Sequence, residues 1–133
     1  MPTATPSRIV VADDSGLMRR MLTSSLREAG FDVVGEARDG DEALALCERH
    51  RPDAMTLDLA MPGMDGMGVL RALKREGATP TPVVVVSAFS PAHGARAVDA
   101  LAEGAFDLVA KPSIGEPRGT FVGQLRDKVH AAV

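Results

Sequence analysis

Pro82-Val83-Val84-Val85-Val86-Ser87 is the stretch on which the fold turns. β-branched side chains favour extended backbone. Four valines in a row show no polar alternation, so both faces of such a strand must be covered. That cover comes from helices above and below a parallel sheet. Further apolar runs outward along the chain predict strands at 8–13, 31–36, 53–58, 82–87 and 106–110. Helix-period segments lie between and after them, near 15–29, 40–50, 65–76, 91–103 and 119–131. Asp39 stands as an N-cap, and Gly30, Gly77 and Gly104 each follow a helical pattern where a left-handed residue is favoured. Pro52, Pro80 and Pro82 punctuate the connections. Five β-α units in strict alternation predict one α/β domain, a doubly wound five-stranded parallel sheet with helices on both faces. Ligands bind such sheets outside the carboxyl ends of the strands, where the strand order reverses.

Size and charge exclude several classes. The 133 residues make one domain by size, with residues 1–7 as a short arm and 8–133 as the folded unit. Net charge is −3 and no Lys/Arg block occurs, so direct nucleic-acid binding is not expected. No apolar stretch approaches the roughly 20 residues of a membrane span, and no signal-peptide pattern opens the chain. A cytoplasmic location without membrane contact is therefore expected. The single cysteine, Cys47, lies in an apolar helical pattern and reads as a small core residue. His50, His93 and His130 lack metal-ligand spacing and read as surface residues, as do Arg19 and Arg20.

The chemistry gathers at strand ends. Asp13 and Asp14 close the first expected strand, Asp58 the third and Ser87 the fourth, and Lys111 follows the fifth. Three acids, a hydroxyl and an amine on one rim call for a cation and an anion together. Two carboxylates about 4 Å apart repel by roughly 4 kcal/mol at an effective dielectric near 20. A divalent metal with oxygen ligands relieves that, and Mg2+ suits two or three carboxylates with a backbone carbonyl. An ionised carboxylate can itself accept a phosphoryl group, with Mg2+, Lys111 and Ser87 each neutralising one equatorial oxygen.

These residues carry a resemblance. Val11-Ala12-Asp13-Asp14-Ser15, Leu57-Asp58-Leu59-Ala60-Met61-Pro62-Gly63-Met64-Asp65-Gly66, Val86-Ser87-Ala88 and Ala110-Lys111-Pro112 resemble, in order, the motifs of bacterial response-regulator receiver domains. Val34-Gly35-Glu36-Ala37-Arg38-Asp39-Gly40 and Gly104-Ala105-Phe106-Asp107-Leu108-Val109-Ala110-Lys111-Pro112-Ser113 are most similar to the regulatory domain of the chemotaxis protein-glutamate methylesterase. The resemblance implies a flavodoxin-like strand order of 2-1-3-4-5 and a phosphoacceptor at Asp58, charged by a histidine kinase. It implies Asp14 as direct Mg2+ ligand, Asp13 holding the metal through water, and Ala60 donating its carbonyl. Ser87 becomes the switch hydroxyl, Lys111 the phosphate-binding amine, and the Lys111–Pro112 bond is expected to be cis. The implied partners are the kinase and a downstream output domain or protein.

Two positions depart from the family pattern. Leu108 stands where an aromatic switch residue is usual, and Ala60 lacks the polar side chain many receivers carry there. An Mg2+-dependent aspartyl-phosphate phosphatase is the enzymatic alternative, but it needs an acid at the position Ala60 occupies. No P-loop or Gly-x-Gly-x-x-Gly turn supports a nucleotide-binding module. No Gly-x-Ser-x-Gly elbow supports an esterase, so a methylesterase catalytic domain is not expected within this chain. The chain is then expected to be a regulatory phosphoacceptor rather than an enzyme, either part of a methylesterase or a stand-alone receiver.

Overall fold

The structure, a computed structural model, describes residues 5–75, 81–88, 94–112 and 115–133. Five strands, β1 (Arg8–Ala12), β2 (Asp32–Ala37), β3 (Ala54–Leu57), β4 (Val83–Ser87) and β5 (Asp107–Ala110), alternate with five helices. These are α1 (Gly16–Glu28), α2 (Gly40–His50), α3 (Gly66–Arg75), α4 (Gly94–Ala102) and α5 (Arg118–Ala132). All strand pairs are parallel and the order is β2-β1-β3-β4-β5. The doubly wound sheet expected from the sequence is therefore the fold, in the implied order. The expectations for Gly77, Pro80 and His93, and for most of the arm, fall outside the described residues. Just before β1, the Ser7 carbonyl accepts from the Asp32 amide at 2.9 Å.

Alternate residues of each strand feed two cores. Val10, Ala12, Met55, Leu57, Val83 and Val85 point to the side covered by α2, α3 and α4. Ile9, Val11, Ala54, Val84, Val86 and Val109 point to the side covered by α1 and α5. This explains why the four valines show no alternation: the pleat sends successive residues to opposite cores, and both are apolar. Cys47 is buried in the first core with its Sγ 3.7 Å from Met55 Sδ, as a small core residue should be.

Local signals end the helices. Phe31 N donates to Leu26 O and Gly30 N to Arg27 O, with Gly30 at φ +96°. Ala105 N to Ala100 O and Gly104 N to Leu101 O repeat the arrangement after α4, with Gly104 at φ +103°. Both are the paired bonds of a Schellman closure. Asp39 caps α2 by accepting from the Glu42 amide at 2.9 Å, as expected. The end of α2 carries no glycine; Arg51 takes the left-handed conformation at φ +45°.

Gly66 ties the fold to the rim. A Cβ there would stand 2.5 Å from the Asp58 carbonyl oxygen and 2.7 Å from Leu59 Cα, both backbone atoms that cannot rotate away. We expect Gly66→Ala to destabilise the chain by about 2 kcal/mol through forced displacement of the 58–59 segment. Thermal unfolding checks this, and an unchanged melting temperature would contradict the close approach.

Candidate functional site

Sheet register brings the acids together. Ala12 pairs with Leu57 across β1 and β3, so the next residues, Asp13 and Asp58, leave the sheet side by side. The ladder continues one step beyond the strands, with Asp13 N donating to Ala37 O and Asp58 N to Ala12 O, each at 3.0 Å. On the far side Ser87 pairs with Ala110, and Lys111 N donates to Ser87 O at 2.9 Å. Each functional side chain thus hangs from backbone fixed by the sheet.

Asp13, Asp14 and Asp58 each present a carboxylate oxygen within 4.8 Å of the others. Asp13 and Asp58 are buried at 0% and 4% exposure, while Asp14 faces solvent. Both oxygens of Asp58 are held. Ser87 Oγ donates to Oδ1 at 3.0 Å, the Ala60 amide donates to the same oxygen at 3.2 Å, and Lys111 Nζ donates to Oδ2 at 3.0 Å. Asp13 Oδ1 accepts from the Ser15 amide at 2.9 Å, leaving Ser15 Oγ to cap α1 through Met18 N. Neither Asp13 nor Asp14 is needed as the cap.

Asp13 Oδ2 is the telling atom. It lies 2.8 Å from Lys111 Nζ as a close ion pair. Even so, it has no hydrogen-bond partner among the described residues. The ammonium is a close charge partner that leaves this buried oxygen incompletely satisfied. Burial, the largest influence, pushes the Asp13 carboxyl above its ordinary value of 3.8, and Lys111 and the Ser15 amide only partly offset it. Burial also opposes the charged form of Lys111, yet the contact with Asp13 and the charge of Asp58 outweigh it and hold the ammonium above its ordinary value. Three carboxylates against one ammonium leave a net charge near −2, and each carboxylate pair repels by roughly 3 kcal/mol or more at an effective dielectric near 20. A buried, incompletely satisfied oxygen and two neighbouring acids fit a divalent cation with oxygen ligands.

Several expectations need correction. Arg19 does not sit on a solvated face: its Nη1 donates to the Asp13 carbonyl at 2.8 Å, and its Nε is 3.8 Å from Glu36. The guanidinium folds back over the end of β1, where that carbonyl has left the ladder. Arg20 is exposed, as expected. The Lys111–Pro112 bond is trans, the intrinsically favoured isomer, and Lys111 reaches both acids with it. Met61, three residues after Asp58, is buried at 8% exposure in the core beside α3. Asp65 does only what a helix start requires of its Oδ1, accepting from the Gly68 amide at 3.0 Å.

One participant was missed. Beside Asp58 lies a cavity of about 200 Å³, lined by Leu59, Ala60, Ser87, Ala88, Lys111 and Arg96. Arg96 belongs to α4, and its Nη2 stands 3.6 Å from Asp65 Oδ2. Its place near the start of the helix after Ser87 was the available signal.

A doubly wound α/β domain with acids at the ends of β1 and β3, a hydroxyl ending β4 and a lysine after β5 defines a distinct class. The chain belongs to the response regulator receiver domain family, whose pattern matches residues 9–117. It is 48% identical over 112 residues to protein-glutamate methylesterase/protein-glutamine glutaminase 2 of Koribacter versatilis, covering 84% of this chain and 30% of that protein. The chain thus spans less than a third of that relative's length. Its fold is similar to the response regulator domain of Thermotoga maritima CheB, with a TM-score of 0.84 and 30% identity over 96% of both chains. It is also similar to a chain of the CheX-CheY-BeF3-Mg+2 complex from Borrelia burgdorferi, with a TM-score of 0.81 and 26% identity over 95% of this chain and 88% of that one. No helix among the described residues is long and apolar enough to cross a membrane.

Proposed function

We propose that this chain is the phosphoacceptor of a chemotaxis two-component system, acting in the cytoplasm. It takes a phosphoryl group from a kinase phosphohistidine onto Asp58 and regulates a methylesterase catalytic domain outside this chain. The observation that carries the reading is the state of Asp58: nearly buried, with Ser87, the Ala60 amide and Lys111 already on its two oxygens.

An Asp58 oxygen attacks phosphorus, the P–N bond to the donor imidazole breaks, and the electron pair leaves with that nitrogen, which takes a proton. No general base is needed, because the attacking group is already an anion. Lys111 follows the phosphoryl oxygens from its position on Oδ2, and Ser87 turns its hydroxyl from Oδ1 toward another of them. Asp13, Asp14, Asp58 and the Ala60 carbonyl would hold Mg2+, which when bound supplies charge neutralisation at the phosphoryl group. The new charge at Asp58 and the movement of Ser87 bias the surface of α4, β5 and α5, which meets the output domain. Transfer is self-catalysed, but the product is a switched state rather than turnover. Relatives of this chain carry the methylesterase name, which supports the choice of output.

Metal dependence tests the reading. Asp13 must be ionised to favour the cation, and its carboxyl is raised above 3.8 by burial. Protons therefore compete for it at higher pH than for an ordinary aspartate, so Mg2+ affinity falls as the solution is made more acidic. Labelling by acetyl phosphate at neutral pH should require Mg2+ and stop on adding EDTA. Labelling that proceeds fully in EDTA would defeat the proposal.

A further inference from the structure

We propose that Arg96 is a state-dependent ligand of the acceptor site, holding Asp65 while Asp58 is free and turning onto the phosphoryl oxygens once Asp58 is loaded. The inference rests on reading Asp58 as the phosphoacceptor, and it adds a cation that reading does not use.

Arg96 and Asp58 line the same cavity, and the other side chains there include Ala60 and Ala88, which are too short to stand between them. The guanidinium's present partner is a weak one. The Nη2–Oδ2 separation to Asp65 is 3.6 Å, and the two side chains are 42% and 44% exposed. Exposed pairs of this kind contribute little and are easily broken. Asp65 is also occupied elsewhere, since its Oδ1 accepts the Gly68 amide that starts α3.

Loading changes the balance. A phosphoryl group on Asp58 brings close to two negative charges and three acceptor oxygens beside a cluster of three carboxylates. Lys111 lies between Asp13 and Asp58 and is bound to both. Among the described residues, the remaining cation lining the cavity is Arg96. Its planar fork suits phosphoryl oxygens better than one carboxylate oxygen at long range. The exchange also releases a strap between α4 and the start of α3. Val98 and Leu101, exposed on α4, then shift with the helix, which gives a route to the surface that needs no aromatic ring at Leu108.

The test uses the full chain and beryllofluoride, a phosphoryl mimic, with binding and the arginine Nε–Hε signals followed by NMR in saturating Mg2+. In the wild type, the Arg96 signal moves on adding beryllofluoride. Arg96→Ala weakens beryllofluoride binding about ten-fold or more, the loss of a charge-assisted contact, without weakening Mg2+ binding. Arg96→Lys recovers part of the affinity. Asp65→Asn, which keeps the cap oxygen, tightens binding by about two- to five-fold by freeing the guanidinium. Wild-type binding with equal affinity in Arg96→Ala and a stationary Arg96 signal overturns this inference alone. No beryllofluoride binding by the wild type overturns the acceptor assignment and this inference with it.

Discussion

Asp58→Asn should abolish acid-stable, base-labile phosphoryl labelling by acetyl phosphate or by a phosphorylated kinase, with loss to background rather than partial reduction. The amide has no anionic oxygen to attack phosphorus. The fold should survive. The carboxamide oxygen of the variant can still accept from Ser87 and the Ala60 amide, which in the wild type hold Asp58 Oδ1. Removing one of three clustered carboxylates also relieves repulsion, so the variant should unfold no earlier than the wild type. A variant that labels normally sinks the acceptor assignment; one that labels poorly because it is unfolded is recognised from its melting curve.

Lys111→Ala carries the largest expected stability effect. Lys111 contacts both buried acids, at 2.8 Å and 3.0 Å, with its side chain 17% exposed. Removing one partner of a fully buried ion pair costs about 3–5 kcal/mol; the partial exposure here lowers the expectation to about 2–3 kcal/mol at neutral pH without metal. The pH dependence has a definite sign. The Lys111 ammonium is raised in the folded state above its ordinary 10.5. Its stabilisation is therefore fully present below pH 10.5 and lost as pH rises through the raised value, so wild type and variant should converge in strong alkali. Mg2+ should restore much of the variant's stability, since a dication replaces the missing charge, while phosphorylation no longer produces full signalling. Thermal unfolding with and without Mg2+ checks this, and a variant as stable as wild type in EDTA would contradict the pairing.

The sequence disclosed the fold through burial more than propensity. The valine run announced a strand covered on both faces, and its neighbours fell into place because Gly30 and Gly104 close α1 and α4 and Asp39 caps the start of α2, each a recognisable backbone job. The acids, Ser87 and Lys111 were legible because each sits at or just beyond the end of an apolar run, and parallel register converts that position into adjacency. What could not be read was side-chain reach. Arg19 and Arg96 are long, flexible and placed on helices where a solvated face is the ordinary outcome. Their contacts with the Asp13 carbonyl and with Asp65 depend on how α1 and α4 pack over the rim, which no local pattern encodes. Arg51 in a left-handed turn was hidden for a different reason: glycine marks such a position, and an arginine does not.

The most direct test of Asp58 as acceptor is chemical mapping of the wild-type chain. Phosphorylation with acetyl phosphate in Mg2+, reduction with borohydride and peptide mass spectrometry convert an aspartyl phosphate into homoserine at the residue that carried it. The expected result is homoserine at position 58 alone, absent when EDTA replaces Mg2+. Homoserine at Asp13 or Asp14, or a stable phosphate on Ser87 with Asp58 unmodified, would contradict it.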